Sequence, residues 1–153
     1  MSPPAERALR VAGTAATLAL ATVAAYGSFA GFEFVNWDDN VYVTANSRVK
    51  SGLSLESLRW ALSAMAAHNW HPLTWISHIL DVELFGLDAV GHHRTSLALH
   101  VLGTLLLFRA FLRMTGALGR SALVAGLFAL HPLHVESVAW IAERKDVLSG
   151  LCF

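Results

Sequence analysis

The sequence predicts an all-α fold, a polytopic membrane helical bundle with about three complete transmembrane helices and the start of a fourth. Hydrophobic residues make up 55% of the chain and charged residues 14%, whereas soluble domains carry about a quarter charged residues. The mean hydropathy is +0.51, and the apolar residues fall in several separate blocks, which favours several membrane segments over one anchor. A net charge of zero gives no support for a nucleic-acid partner.

The first apolar block covers residues 11–32 and carries no charged residue. Its length is enough to cross a bilayer as a helix. The alternative is a cleaved signal peptide, with Arg7 and Arg10 as the basic region and a cleavage site after Ala30. Because the apolar run exceeds the roughly 7–15 residues usual in such peptides, the pattern favours a retained helix.

A first outer loop follows over residues 33–94, where polar residues are frequent. Within it, residues 54–67 show an apolar stripe at spacings of three and four, which predicts an amphipathic helix with Ser54 as its N-cap. This stripe either packs against other protein or lies in the membrane interface, and the sequence leaves both open. The stripe consists of Leu55, Leu58, Leu62 and Met65.

Three further apolar blocks predict a second span over residues 95–112, a third over 117–131 and the start of a fourth at Val147. His100 lies inside the second span, where an imidazole is costly in lipid, so it is expected to face the bundle interior. Residues 132–146 form a second outer loop. Because the last apolar run stops at Phe153 with no turn or cap, we expect further membrane helices downstream.

Charge predicts the orientation of these spans. The amino-terminal tail and the connection between spans two and three hold five arginines and one acid, and all the other acids lie in the two outer loops. The excess of arginine predicts that the tail and this connection lie in the cytoplasm. The five residues are Arg7, Arg10, Arg109, Arg113 and Arg120.

The first candidate for chemistry is the carboxylate pair Asp38 and Asp39, a few residues beyond the first span. Carboxylates near a membrane surface can act as a general base, or hold a cation between a phosphate and the protein. The alternative is structural, since Asp and Asn are favoured in turns.

Two His-Pro-Leu triplets begin at His71 and His131. Proline is tolerated in the first turn of a helix, so each triplet is predicted to open a helix with the histidine just before it. Both triplets fall near the outer face, and their histidines are candidate residues for binding a substrate phosphate.

The second outer loop ends in a run of charged residues that includes Arg144 and Lys145. Two cations beside the outer leaflet suit the phosphate of a lipid carrier, although both also fit ordinary loop charges. A metal site of His131, His134 and Glu136 is not predicted. On one helix, Glu136 would point about 140° away from His131, and the spacing lacks the His-Glu-x-x-His pattern.

Three segments together resemble the amino-terminal membrane part of bacterial membrane proteins with tetratricopeptide (TPR) repeats. Those proteins are related to the transmembrane, TPR-containing protein O-mannosyltransferases, which belong to the GT-C class of glycosyltransferases. The segments read FVNWDDNVYV over residues 34–43, HPLTW over 71–75 and HPLHVESVAWIAERKD over 131–146.

The resemblance implies a multi-pass enzyme of the cell inner membrane that transfers a sugar from a polyprenyl-phosphate donor to a hydroxyl of an acceptor protein or glycan. The reaction would occur on the extracytoplasmic face, with inversion. It implies that the first outer loop supplies the catalytic acid, Asp38 or Asp39. It also implies that the second outer loop supplies residues near the carrier phosphate, namely Glu136, Arg144, Lys145 and Asp146.

The resemblance further implies that the remaining membrane helices and a TPR array lie downstream, so that the donor site is incomplete here. No cofactor is required by these motifs, and the participation of a divalent cation is left open. The alternative function is a non-catalytic membrane anchor that displays TPR repeats for protein binding, with the two aspartates as turn residues. A transporter ranks third, because the paired broken helices of that class are missing from the pattern.

Overall fold

The computed structural model describes residues 2–66 and 69–152, and these residues form helices and turns without a strand. The all-α prediction is therefore confirmed. The α-helices in the described residues are α1 Pro3–Tyr26, α2 Ser47–Lys50, α3 Leu55–Ser63, α4 Pro72–Phe85, α5 Ala89–Thr115, α6 Leu118–Leu130, α7 His134–Ala139 and α8 Arg144–Cys152.

Helices α1 and α5 are the long ones, with 24 and 27 residues. Both lie in segments that are long and apolar enough to cross a membrane, which supports membrane association. The predicted span 95–112 lies within α5, which begins earlier because the Asp88 side chain accepts a hydrogen bond from the Val90 amide. The helix ends at Gly116, whose φ of 66° is a left-handed conformation that suits glycine at a helix end.

Helix α6 occupies the predicted third span but has only 13 residues. At 1.5 Å per residue it is about 20 Å long, shorter than the roughly 30 Å hydrocarbon core. The predicted fourth span corresponds to α8, which begins at Arg144 and not at Val147. The expectation about the chain end at Phe153 falls outside the described residues. The count of three complete spans and the start of a fourth stays a prediction.

Helix α3 begins as predicted at the Ser54 cap. The Ser54 hydroxyl accepts from the Ser57 amide, and the Ser57 hydroxyl accepts from the Ser54 amide, so the cap is reciprocal. The helix ends at Ser63, earlier than the predicted 67, and Ala67 lies outside the described residues.

Three of the four residues of the apolar stripe face away from the described protein, and the fourth, Leu58, is half-buried. Leu55, Leu62 and Met65 are 64%, 58% and 67% exposed. The helix instead buries the small residues Ser57 and Ala61. Packing against the described residues therefore does not account for these three exposed side chains, which leaves the membrane interface or further protein to cover them.

The two His-Pro-Leu triplets have different structures. His71 is the N-cap of α4 and Pro72 opens that helix, as predicted. The prediction for the second triplet is wrong, because His131 ends α6 and the next helix begins only at His134. Two turn hydrogen bonds, from the His134 amide to the His131 carbonyl and from Val135 to Pro132, reverse the chain before α7.

The outer loops pack into a cap on one end of the helical bundle. Their core contains Val43 from the first loop, Trp75 and Ile79 from α4 and Ile141 from the second loop, all fully buried. A separate cluster around Leu18, Phe108 and Ala125 joins α1, α5 and α6. His100 faces the interior as predicted, with its Nε2 3.1 Å from the Ala129 carbonyl. The cap thus brings the two outer loops together.

Candidate active site

Asp39 joins the two outer loops. Its carboxylate is fully buried and accepts hydrogen bonds from the amides of Val35 and Ala142, both at 2.9 Å. Trp140 adds a second connection, because its indole N–H donates to the Trp37 carbonyl at 3.0 Å. Burial raises the pKa of Asp39, although these amide donors act in the opposite direction. This carboxylate holds the loops in place and is shielded from solvent.

Asp38 has the opposite environment. Its side chain is exposed and makes no hydrogen bond within the described part of the chain. Its φ of 67° is the left-handed conformation, which Asp and Asn adopt more easily than most residues. The Tyr42 amide donates to its carbonyl at 2.9 Å, so the turn is anchored while the carboxylate stays accessible.

Lys145 provides a cation on the neighbouring loop. Its Nζ donates to the Glu143 carboxylate at 2.5 Å and lies 5.7 Å from the centre of the Tyr42 ring. Partial burial lowers the pKa of Lys145, but the hydrogen bond and charge of Glu143 outweigh burial and raise it. Lys145 is therefore an ammonium ion at neutral pH, and its side chain is 30% exposed.

His71 completes this group. Its ring stacks on Tyr42 with centroids 5.6 Å apart and lies 4.9 Å from Trp75. Burial, and then the charge of Lys145, lower the pKa of His71, so the imidazole is neutral at pH 7. Burial raises the pKa of the Tyr42 phenol; the charge of Lys145 lowers it, and the charges of Glu143 and Asp38 raise it. We call these five residues, Asp38, Tyr42, His71, Glu143 and Lys145, the outer cluster.

Arg144, predicted to bind a phosphate, is fully buried. Its Nε donates to the Ser96 hydroxyl at 3.2 Å, and its Nη1 donates to the Ser77 hydroxyl and to Asp81. Its Nη2 donates to the His92 carbonyl at 2.6 Å. A guanidinium has five N–H donors, and four are used here. The side chain therefore anchors the start of α8 to α4 and α5, and its role with a phosphate stays a prediction.

Asp81 lies in a buried cluster with His78 and His92. One ligand atom of each comes within 4.8 Å of the others, and among the described residues this is the one such group suited to a metal ion. His92 Nε2 donates to the Gly86 carbonyl at 3.2 Å, and its Nδ1 faces Asp81 at 3.4 Å. Both ring nitrogens of His78 are buried without a partner in the described residues.

The charge balance of this cluster opposes a divalent cation. Arg144 already pairs with the Asp81 oxygen that faces His92. A divalent ion would leave two positive charges uncompensated in a buried site, which is costly. The cluster therefore fits a neutral pair of histidines beside a buried ion pair better than a metal centre.

The remaining predicted residues lie elsewhere. Glu136 is exposed, and the exposed His131 accepts from the Leu133 amide at 3.2 Å through Nδ1. Asp146 lines a separate cavity of about 230 Å³ together with His100 and His134. Of the eight predicted site residues, the outer cluster contains Asp38, His71 and Lys145, and the other five, including the buried Asp39 and Arg144, lie outside it.

Sequence reasoning missed Tyr42, Glu143 and Asp81. Tyr42 lies in the segment that carries the resemblance, and Glu143 directly precedes the arginine and lysine, so both had a local signal. Asp81 had a weaker one, as an acid in the mostly apolar segment that became α4. A buried acid of this kind needs a partner, but the sequence does not identify Arg144 as that partner.

Comparison with known proteins gives the family. Mouse protein O-mannosyl-transferase TMTC1 is 35% identical over 154 residues, which covers 93% of this chain and 16% of the mouse protein. The human protein of the same name is 34% identical, covering 95% and 17%, and Drosophila melanogaster Tmtc1 is 30% identical, covering 94% and 17%.

No family model and no solved structure matches the chain. The chain spans about a sixth of the length of the curated relatives it matches. Similarity over nearly the whole of this chain to several such relatives decides its classification. The chain belongs to the TMTC-like family of protein O-mannosyl-transferases.

Proposed function

We propose that the full-length protein is a membrane glycosyltransferase that transfers mannose from a polyprenyl-phosphate donor to a serine or threonine hydroxyl of an acceptor protein. The observation that carries the proposal is that Asp39 ties together two loops, one of which carries an accessible carboxylate, Asp38, and the other an ammonium group held by Glu143, Lys145. The names of the relatives supply the sugar and the acceptor class.

In the proposed reaction, the Asp38 carboxylate takes the proton of the acceptor hydroxyl. The hydroxyl oxygen forms a bond to the anomeric carbon as the bond from that carbon to the carrier phosphate oxygen breaks. The electron pair leaves with the phosphate, and Lys145 stabilises the resulting negative charge. One displacement inverts the anomeric centre and forms no covalent enzyme intermediate.

Asp39 and Arg144 act as positioning residues in this proposal. Asp39 fixes the turn that presents Asp38 against the second loop through the Ala142 amide. Arg144 fixes the start of α8, directly before Lys145, to α4 and α5. Because displacement needs the base and the phosphate-binding cation on opposite sides of one carbon, the relative position of the two loops controls the rate. Any contribution of His71, His131, Glu136 or Asp146 to donor binding stays a prediction.

The proposed location is the cell inner membrane in a multi-pass arrangement, with the amino terminus cytoplasmic and the outer cluster extracytoplasmic. The arginine bias supports this orientation. Helix α1 connects the two sides, since the arginine-rich tail lies at its start and the Asp38 turn follows its end. The donor would reach the site laterally from the outer leaflet.

The test is transfer of labelled mannose from a polyprenyl-phosphate donor to protein, in membranes that contain the full-length enzyme. Asp38→Asn keeps the turn and removes the base, so transfer should fall roughly 10²–10⁴-fold. Glu33→Gln, at an exposed acid of the same loop, is the matched control and should transfer normally. Normal transfer by Asp38→Asn would exclude Asp38 as the base. If the wild type transfers from no such donor, the non-catalytic anchor replaces the enzyme.

Lys145 is tested in the same assay by varying the donor concentration. Lys145→Ala should raise the KM for donor and lower kcat, and Lys145→Arg should restore part of both, because the positive charge returns. Lys50→Ala removes an exposed lysine from the first outer loop, outside the outer cluster, and should leave both values unchanged. Equal effects at the two lysines would mean that general surface charge attracts the donor.

A further inference from the structure

A large open groove separates the amino-terminal half of α1 from the carboxyl-terminal half of α5. Its volume is about 1080 Å³. Phe108 lines the groove and belongs to the same buried cluster as Leu18 of α1, which lies beyond the lined segment of that helix. Toward the groove, α1 presents mainly small residues while α5 presents larger ones, which leaves an apolar floor. The floor consists of Ala8, Val11, Ala12, Ala15, Leu105 and Leu112.

Arginine side chains line the mouth of this groove. Arg7 comes from α1, and Arg109 and Arg113 come from one face of α5, four residues apart. All three are exposed, and none forms an ion pair within the described residues. The residues that line the groove include no acid. The nearby Glu6 lines a smaller neighbouring groove together with Arg7 and Arg10. The mouth therefore carries a net positive charge.

The groove differs from the proposed active site in both position and chemistry. It lies at the start of α1, whereas the Asp38 turn follows the end of that helix. The 24 residues of α1 separate the two ends by roughly 36 Å. Both α1 and α5 are long and apolar enough to cross a bilayer, and the groove lies between them at their arginine-rich ends.

We propose that this groove binds an anionic phospholipid, with the acyl chains on the apolar floor and the phosphate held by Arg7, Arg109 and Arg113. Charge complementarity selects this occupant. Three unpaired guanidinium groups favour a phosphate, for which arginine offers paired donors, and a basic pocket between transmembrane helices suits an anionic headgroup. A zwitterionic lipid would bind more weakly, because the positive group of its headgroup is repelled by the arginines.

Binding to purified protein in detergent is measured by native mass spectrometry, with phosphatidylglycerol and phosphatidylcholine of identical acyl chains as the probes. The wild type should prefer phosphatidylglycerol. Arg109→Gln should weaken that binding roughly fivefold, as expected for one basic residue near an anionic lipid. Arg120→Gln is the matched control, since it removes the same charge at the same end of the bundle from a residue outside the groove.

A second variant tests the groove without changing charge. Ala12→Phe should fill the floor and weaken binding of both lipids, with Ala8→Leu as a milder substitution should the first one disturb folding. Preference for neither lipid, equal loss in Arg109→Gln and Arg120→Gln, or unchanged binding after the groove is filled would each overturn the proposal. Displacement of phosphatidylglycerol by millimolar inorganic phosphate would do so as well, because the arginines would then form a simple anion site.

Discussion

Arg144 has two possible roles in the second outer loop: it either anchors the loop to the rest of the fold or contacts the carrier phosphate. If it anchors the loop, Arg144→Ala must destabilise the fold, because it leaves the carboxylate of Asp81, which is 2% exposed, without its cation. Removing one partner of a buried ion pair costs about 3–5 kcal/mol. The hydrogen bonds to Ser77, Ser96 and the His92 carbonyl are lost too. We therefore expect a loss of free energy of unfolding at the upper end of that range.

The assay is equilibrium unfolding in detergent micelles, followed by tryptophan fluorescence; the buried Trp75 lies on α4, the helix that carries Asp81. A double-mutant cycle isolates the pair. Asp81→Asn alone should also destabilise the protein, whereas Asp81→Asn with Arg144→Met should recover much of the loss, because no buried charge then remains unpaired. Lys145→Ala, next in sequence and partly exposed, should cost less than about 1 kcal/mol.

Transfer activity decides between the accounts. An anchoring arginine lowers the free energy of unfolding when it is removed, and the double variant then regains part of the transfer along with the stability. Should Arg144→Ala unfold like the wild type and yet lose donor binding, Arg144 contacts the carrier phosphate directly. The anchoring account would then be wrong, and the buried guanidinium would have to move to reach the donor.

Three other expectations concern the same outer region. Burial raises the pKa of Asp39 in the folded protein. The stability that this group contributes is therefore present below its unfolded pKa near 4 and is lost as pH rises through the raised folded pKa. A pH titration of the free energy of unfolding should show that decline, and Asp39→Asn should flatten it. Transfer should survive EDTA, since Arg144 already neutralises Asp81; loss of transfer with recovery on adding a divalent ion would contradict this. In a Cys152→Ser background, Ser51→Cys and Gly119→Cys should react with membrane-impermeant maleimide from opposite sides, and labelling from one side would reverse or remove the proposed orientation.

Local features of the fold were predictable from the sequence. The Ser54 cap, the opening of α4 at Pro72 and the inward position of His100 each follow from a residue and its close neighbours. Element ends were less predictable. Helix α3 stops at Ser63 although its apolar stripe continues to Met65; the next residue, Ala64, is extended and lies in the core of the cap.

The site was predictable only in part, because its residues are distinguished by long-range contacts. Nothing in the sequence between Asn36 and Asn40 tells which aspartate is buried. The amide that captures Asp39 belongs to Ala142, 103 residues away. Likewise, the charge run of the second loop does not reveal that Arg144 pairs with Asp81, 63 residues earlier. Residue type indicated the chemistry, but tertiary packing assigned the roles.

Each outer loop contains two adjacent residues of like charge, and the fold divides their tasks in the same way. Asp39 and Arg144 point inward and are fully buried, whereas Asp38 and Lys145 remain accessible. A buried charge is tolerated only with partners, so the inward residue of each pair is hydrogen-bonded to elements distant in sequence. The backbone on either side of that anchor is thereby held, which fixes where the neighbouring outward side chain begins.

The two residues of each pair carry the same charge, but because one is buried and the other accessible, we expect that they are not interchangeable. Asp38→Asn leaves only the buried carboxylate of Asp39, so it keeps the loops joined and removes the accessible base. Asp39→Asn keeps the accessible base and puts an amide –NH2 near one of the Val35 and Ala142 amide donors. The first change should therefore lower kcat at unchanged stability. The second should lower stability first, and activity only to the extent that Asp38 loses its position.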